Sequence, residues 1–395
     1  MLPGIAVVGA GIAGLALAAA LDRHGLPALV FEQAAEPAEV GAGVQLAPNA
    51  TRLLHRLGLA ERLGEIAVRP AATEFRRWAD DHVIARTVLG EECERQYGAP
   101  YYTIHRADLR DALASLVRTE RVYLGRRVVA VRETADGAVL SFADGSRHSA
   151  CLVAGADGIR SVARQALAAD EPVFSGLGVY RGLVPATEVP ELAAEPAVRL
   201  WLGPGSHLVC YPVQAGRLVS FAATVPCPVP GTESWTAEGT ARDLRHAFRN
   251  WSPTVRRIVD GAPSVRHWGL YDRGPLRRLS TSRVVLVGDA AHPMLPFAAQ
   301  GANQAIEDAM ALAACLARPG TGAVRARIPE AAGRYRECRG PRTARLQQQA
   351  RWNIGGMHLP DGAAQRSRDV GLAASADLHR QAWLYGHDAE GECLP

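Results

Sequence analysis

Not one lysine occurs among the 395 residues, so all 44 basic side chains are arginine. The absence excludes a Schiff-base or ammonium catalyst, and every cationic contact to a phosphate or carboxylate must come from an arginine fork or a backbone amide. Net charge is only +4, spread along the chain without a basic stripe, so nucleic acid is not an expected partner. Cysteines are few. Cys93, Cys151, Cys210, Cys227, Cys315, Cys338 and Cys393 show no Cys-x-x-Cys pair and no metal-ligand spacing, which points to a reduced cytoplasmic protein with no metal site. We find no internal repeat or low-complexity tract, and we expect no cleavable signal ahead of the first strand. At 395 residues the chain exceeds one ordinary core, and two intimately packed domains are expected.

Leu2 to Leu21 carries no charge and approaches membrane-span length. Its glycines argue otherwise. Gly4 precedes the strand-like Ile5-Ala6-Val7-Val8, and Gly9, Gly11 and Gly14 follow at the spacing of a strand, tight turn and helix. The first permits the turn, the second lets a pyrophosphate approach the backbone, and the third lets the helix pack closely on its strand. The helix from Ile12 to about His24 then aims its first N–H groups at the phosphates. A second strand, Ala28 to Phe31, ends in Glu32, which can accept hydrogen bonds from a ribose hydroxyl and would repel a 2′-phosphate. The site therefore suits the adenosine half of FAD or NAD rather than NADP.

Two later segments stand at strand ends in the same way: Gly155-Ala156-Asp157-Gly158 after Cys151 to Ala154, and Gly288-Asp289-Ala290-Ala291-His292-Pro293 after Val284 to Val287. A glycine-rich turn alone is common. Three of them converge on one long dinucleotide. Gly41 to Asn49, with Gln45 inside it, is too glycine-rich for a strand and reads as a loop lying flat against a planar ligand, or as an ordinary turn, before a helical pattern over Thr51 to Arg62. Thr73 to Arg86 looks strand-like, His105 to Val117 helical, and Arg121 to Ala143 alternates as two or three strands about Ala135-Asp136-Gly137. From Val173 to Arg266 short strands separated by proline and glycine suggest a sheet-based second domain. Gln300-Gly301-Ala302-Asn303 opens a helix to about Leu316, whose N-terminus carries roughly half a positive charge.

Gly9 to Gly14, Glu32, Asp157-Gly158 and Gly288-Asp289 together resemble the single-component FAD-dependent aromatic hydroxylases, the group of p-hydroxybenzoate and salicylate hydroxylases. Gly41 to Asn49, Tyr180-Arg181-Gly182, Gly288 to Glu307 and His358-Leu359-Pro360-Asp361-Gly362 are most similar to its salicylate, 3-hydroxybenzoate and 6-hydroxynicotinate branch. The resemblance implies an α/β fold: a Rossmann-like FAD-binding domain over 1–72, 98–172 and 268–330, interrupted by a substrate-binding β-sheet domain over 73–97 and 173–267, with a C-terminal helical segment over 331–395. It implies FAD as cofactor, NADH or NADPH as transient co-substrate, molecular oxygen, a small aromatic substrate, no membrane, and a monomer or homodimer. The implied chemistry is hydroxylation of a phenolic or other electron-rich ring through a C4a-hydroperoxyflavin. A flavin dehydrogenase or reductase without oxygen insertion, and a non-enzymatic FAD-binding sensor, stay open as alternatives; a flavin halogenase is excluded because that family uses a lysine.

Gly9, Gly11, Gly14, Glu32, Gln45, Arg106, Asp157, Gly158, Asp289, Pro293, Gly301, Ala302 and Asn303 are the expected cofactor-binding set. Within it Asp157 resembles the residue that serves both the FAD pyrophosphate region and the nicotinamide cofactor, or it forms a simple Asp-Gly turn. Arg106 resembles an arginine on the flavin's ribityl or phosphate side, or makes a surface ion pair. Asp289 would hold ribitol hydroxyls. With no second glycine fingerprint, NAD(P)H is expected on the surface near Asp157 and Arg160, reaching a flavin that swings outward. His207 and Tyr211 resemble the catalytic histidine and tyrosine of the branch, and an even spacing on a strand turns both to one side. Taking phenol at a pKa of about 10, phenolate at pH 7 needs about three units, roughly 4 kcal/mol, which one positioned base or cation can largely supply. Arg181, Pro296 and Phe297 complete the expected substrate pocket. Some relatives place a histidine or glutamine where this chain has Pro296-Phe297, so a more apolar or bulkier phenol of specialised metabolism is admitted.

Overall fold

A computed structural model describes residues 4–36, 42–228, 239–318 and 324–393. Apolar β-branched runs buried on both faces form parallel sheets, and Ile5–Val8, Leu152–Gly155 and Val284–Leu286 are such runs. They lie side by side in a five-stranded sheet whose order is 284–286, 152–155, 5–8, 28–31 and 122–123, parallel at every pairing. The three motif-bearing strands are therefore neighbours. Their C-terminal ends place Gly9, Asp157 and Gly288 along one edge, where ligands of open α/β sheets bind.

Helix Ile12–Arg23 crosses from the first strand to Ala28–Phe31. With 12 residues it is too short to span a bilayer, and among the described residues no helix is long and apolar enough to do so. It packs against helix Gly301–Ala317, which is buried at every position from Asn303 to Leu316. A run of alanine lets the backbones approach closely. On the far side lies the 34-residue helix Val324–Met357.

A seven-stranded sheet carries the other half in the order 265–272, 173–185, 218–226, 206–213, 197–203, 72–77 and 83–88. Its pairings are antiparallel except that of 197–203 with 72–77. One face buries Tyr180, Leu208, Cys210, Phe221 and Ala223 under helices Ala241–Ala247 and Pro253–Asp260, capped by Thr240 and Ser252. Those helices lie within what the sequence suggests is a stretch of strands only.

Several local expectations change. Gly43–Leu46 is a strand, paired antiparallel with Tyr102–His105, and not a glycine loop. Glycine at 43 is a packing requirement there, because a Cβ would lie 2.4 Å from Tyr211 Cε2 and 2.7 Å from Ser220 Oγ. The single helix over 51–62 is two, Pro48–Arg56 and Ala60–Ile66, broken by Gly58 at φ +91°. Thr73 to Arg86 is a hairpin of Ala72–Arg77 and Val83–Val88. The 330/331 boundary falls inside the helix Val324–Met357, whose internal Pro329 and Pro341 conceal its continuity in the sequence.

Two carboxylates sit inside this core. Arg339 donates through Nε to Asp308 at 2.7 Å and through Nη1 to Glu307, and Arg342 grips Glu307 through Nε at 2.7 Å and Nη2 at 2.9 Å. Burial alone would raise both carboxyl pKa values, yet Arg339 and Arg342 hold Glu307, and His292 with Arg339 holds Asp308, below the ordinary range. Folded values lying below the unfolded ones, about 3.9 for Asp and 4.3 for Glu, mean that this stabilisation is complete above pH ~5 and drains as pH falls through the folded values. Replacing Arg339 with Met removes the guanidinium that Asp308 and Glu307 share, leaving Asp308 to His292 and Gly288 N and Glu307 to Arg342, Asn49 and Gln304. Denaturant unfolding at pH 7 should show a loss of about 3–5 kcal/mol, and stability of the variant should fall less steeply on acidification than that of the parent.

Candidate active site

A cavity of about 360 Å³ runs from Gly11 and Ala13 past Arg106, Gly158 and Asp289 to Arg181, His207 and Tyr211 on the seven-stranded sheet. At its first end Gly9 has φ +102° and a Cβ on it would stand 2.5 Å from the Ala156 carbonyl oxygen. A Cβ on Gly14 would lie 1.9 Å from the Gly9 oxygen, so helix Ile12–Arg23 rests directly on the turn. A Cβ on Gly11, by contrast, would meet nothing within 4 Å, and neither would one on Gly158 at φ +75°. Bare backbone facing open space at a helix N-terminus is the cradle a pyrophosphate needs, so these residues fit FAD.

Glu32 braces the same turn. Its carboxylate accepts from Ala10 N at 2.7 Å and Ala34 N at 2.9 Å, leaving each oxygen a lone pair for a hydroxyl. Asp157 closes its own loop. Its carboxylate is taken up within its own turn by the Ser161 hydroxyl and by Val162 N at 2.7 Å, while Ala156, Gly158 and Ile159 line the cavity beside it. The aspartate shapes the loop and its neighbours present the surface. Asn303 likewise acts as a fastener: Oδ1 accepts from Ala47 N at 2.8 Å and Nδ2 donates to the carbonyls of Gln45 and Ala299, both at 2.9 Å. Gln45 lines the cavity and accepts from the Tyr101 hydroxyl at 2.8 Å. Gly41 lies outside the described residues.

The middle of the cavity is built by the Gly288–Pro293 turn and the start of helix Gly301–Ala317. Gly301 and Ala302 line it without side chains to block it, and no acidic residue in the first turn cancels the helix dipole. Such an end favours negative charge on a bound flavin. Asp289 lines the cavity and is exposed there; desolvation by the surrounding protein raises its carboxyl pKa, opposed by His292 and Arg106. Arg106 opens helix Arg106–Ala114 and lines the wall opposite, its guanidinium pKa lowered by burial and supported by Asp289. Behind the turn, Asp308 Oδ2 accepts from Gly288 N at 2.8 Å and pairs with His292 Nε2 at 2.6 Å. Pro293 lines the cavity, and its carbonyl accepts from Gln347 at 3.0 Å.

Strand register assembles the substrate end. Val179 pairs with Thr224 and Thr224 with His207, forming one row across the sheet; Arg181, Ala222 and Val209 form the next. Two residues further along the 206–213 strand stands Tyr211, on the same face, as even spacing requires. Trp268 opposes Val179 and lies 5.7 Å from the Arg181 guanidinium. Phe297 meets the His207 ring edge-on at 5.3 Å, and Pro296 lines the same wall. Burial raises the Tyr211 pKa, with Arg181 opposing.

His207 has a partner that sequence spacing conceals. Its Nδ1 lies 2.7 Å from His358 Nε2, and its Nε2 lies 3.4 Å from Thr224 Oγ1. Burial lowers the His207 pKa to about 3, His358 contributing, and burial lowers His358 to about 4. Both rings are neutral at pH 7. Thr224 comes beside His207 through cross-strand register, which the sequence alone does not reveal; His358 lies 151 positions from His207, and only its occurrence in a short histidine-proline-glycine motif marks it.

The Asp289 carboxylate is placed to hold a polyol hydroxyl. Replacing Asp289 with Ala should weaken FAD by about 1.5–3 kcal/mol, the range for a hydrogen bond to a charged group, read as flavin lost on dilution and gel filtration. Full retention would remove Asp289 from the cofactor contacts.

Comparison with known proteins agrees with this geometry. The model of a family described as FAD binding domain matches residues 4–350. A 3-amino-4-hydroxybenzoate 2-monooxygenase of Streptomyces cremeus is 49% identical over 98% of this chain and 95% of its own length. A 3-hydroxybenzoate 6-hydroxylase of Klebsiella oxytoca is 33% identical over 98% and 97%. Among solved structures, a salicylate hydroxylase in complex with substrate superposes with a TM-score of 0.83 at 29% identity, covering 99% of this chain and 97% of that one. The chain thus belongs to the FAD-binding-domain family and, within it, to the FAD-dependent, NAD(P)H-consuming aromatic monooxygenases.

Proposed function

We propose that the substrate is an amino-substituted 4-hydroxybenzoate, with Arg181 pairing its carboxylate and His207 receiving the proton of its ring hydroxyl. One observation supports this above others: a single sheet face turns a half-buried guanidinium, an imidazole and a phenol, Arg181, His207 and Tyr211, into one cavity. A fixed cation and a proton acceptor on one apolar wall suit a flat aromatic acid with a hydroxyl. The 49% identity to an enzyme named for 3-amino-4-hydroxybenzoate narrows the class. Bound FAD, once reduced by NAD(P)H, supplies oxygen activation. The protein's share is to orient the ring, exclude water and increase its electron density by removing the hydroxyl proton.

In this reading the cofactor is held by segments 1–72, 98–172 and 268–330 and the ring by 73–97 and 173–267. Glu32, Gly11, Gly158, Arg106, Asp289, Gly301 and Ala302 contact FAD, while Gly9, Gly14, Gln45, Asp157, Pro293 and Asn303 shape its site. Pro296 and Phe297 close the apolar wall. All seven cysteines are free thiols, which suits the reducing cytoplasm, and the enzyme acts as a monomer or homodimer without nucleic acid or membrane.

Incubating the holoenzyme with 3-amino-4-hydroxybenzoate, 3-hydroxybenzoate and salicylate, and measuring NADH and NADPH oxidation with product mass, tests the reading. We expect coupled hydroxylation to be fastest with the amino acid. Oxidation without an oxygenated product for any of the three would overturn it. Arg181→Ala should raise KM for the carboxylate at least tenfold, consistent with losing a charge-assisted contact of about 1.5–3 kcal/mol, and should barely alter KM for the corresponding primary amide. His207→Gln should lower the hydroxylation rate while FAD occupancy stays unchanged.

A further inference from the structure

We propose that His358 is the second station of a proton relay in which His207 Nε2 takes the substrate's hydroxyl proton while His207 Nδ1–H passes to His358 Nε2. This rests on the reading of His207 as proton acceptor and adds the route by which the proton leaves. The geometry is that of a shared proton: Nδ1 of one ring and Nε2 of the other lie 2.7 Å apart, with centroids 5.0 Å apart and planes inclined by 28°. Two imidazoles at this distance hold one proton between them, so one nitrogen donates and the other accepts. When His207 Nδ1 donates, its Nε2 is the unprotonated nitrogen, met only by the long 3.4 Å contact from Thr224 Oγ1, on a ring that lines the cavity.

A lone buried imidazole would be a poor acceptor here. Burial holds the His207 pKa near 3, so an imidazolium formed by taking a phenol proton is strongly disfavoured. A relay removes that difficulty. The substrate O–H bond breaks as an N–H bond forms at His207 Nε2; the His207 Nδ1–H bond breaks as one forms at His358 Nε2; and the His358 Nδ1 proton leaves to water. Each imidazole ends neutral in its other tautomer, and the negative charge stays on the ring to be hydroxylated. His207 is 5% exposed, whereas His358 is only half-buried, as a station facing solvent requires.

His358 is held in place for this. It follows the C-terminus of the long helix, its N–H bonded to Ile354 O at 3.2 Å and its carbonyl accepting from Gly205 N at 3.0 Å, in the hairpin turn that leads into the strand of His207. Phe297 lies edge-on to both rings, at 5.3 and 6.1 Å. The titratable and charged side chains sharing the cavity with His207 are Arg106, Arg181, Tyr211, Tyr271 and Asp289. On the outer side Asp361 accepts from the Trp78 indole and Arg368 donates to Gly356 O, so neither substitutes for His358 as partner of His207.

The test compares full-length holoenzymes carrying His358→Gln, His358→Ala and His207→Gln, using 3-amino-4-hydroxybenzoate or, if that acid is not turned over, whichever acid of the same panel shows the highest coupled turnover. Glutamine can accept the His207 Nδ1 hydrogen bond and cannot carry a proton onward. His358→Gln should lower the hydroxylation rate at least tenfold at pH 7 with KM within threefold and FAD retained. The deficit should fall below threefold for a ring-nitrated analogue already ionised at the assay pH. Added imidazole should restore part of the rate of His358→Ala; if that variant loses FAD, the glutamine variant carries the test. A His358→Gln rate within twofold of the parent, beside a damaged His207→Gln, overturns the relay and leaves His207 as acceptor. Wild-type behaviour of both overturns the relay and the acceptor role together. Equal losses on ionised and un-ionised substrates, without imidazole rescue, make His358 merely structural and overturn the relay.

Discussion

The buried cluster around Glu307 and Asp308 is the constraint on which the rest of the site depends. A carboxylate in a protein interior is strongly penalised unless it is paired and hydrogen-bonded, and these two lie on a helix with no solvent on any side. Each is answered from several directions. Asp308 takes Arg339, His292 and the Gly288 amide; Glu307 takes Arg339, Arg342, Asn49 and Gln304. Arg342 in turn donates to the carbonyls of Trp383 and Leu384. One cluster therefore clamps the turn that carries Asp289, the helix after the 43–46 strand and the chain's last segment. A cofactor site whose walls come from distant segments needs such a clamp, because no local sequence holds those segments in register.

The two halves meet through backbone proximity rather than a linker. Gly43 N donates to Ser220 Oγ at 2.9 Å, and Thr103 Oγ1 donates to the Pro212 carbonyl at 2.6 Å, so the pair of strands 43–46 and 102–105 docks on the seven-stranded sheet. Any side chain at 43 would collide with Tyr211. That contact brings cofactor end and substrate end into one cavity. The sheet then divides its labour by alternation: even-numbered Leu208 and Cys210 enter the apolar core, while odd-numbered His207, Val209 and Tyr211 face the chemistry.

Much of this was legible in the chain. The glycine spacing at 9, 11 and 14 yields a definite turn, and the Gly-Asp pairs mark strand ends because few other residues tolerate those backbone conformations. Period-two spacing placed His207 with Tyr211. What was not legible has a common cause. Gly43–Leu46 reads as a loop because its partner, Tyr102–His105, lies far along the chain, and strand pairing overrides propensity. Asp157 matched a motif, but whether its carboxylate faces a ligand or its own backbone depends on the seven-residue turn it closes. The pairings His207–His358 and Asp308–Arg339 join side chains across 151 and 31 positions, and no local pattern announces either.

The arginine-only composition bears on which group can act as base. A lysine sharing a buried cavity with an aromatic acid readily sheds its proton, because burial disfavours its charge. Arg181 is lowered by burial from 12.5 and still cannot titrate at working pH, since a guanidinium remains protonated in proteins. It attracts an anion and never accepts a proton. The cavity already holds two guanidinium groups, Arg181 and Arg106, beside the one carboxylate of Asp289. Burial and the neighbouring His358 ring act in the same direction on His207 and keep it neutral, so a proton arriving there must move on through a neutral partner rather than rest as imidazolium. A neighbouring ring 2.7 Å away, itself only half-buried, is the arrangement that lets a buried imidazole pass a proton on.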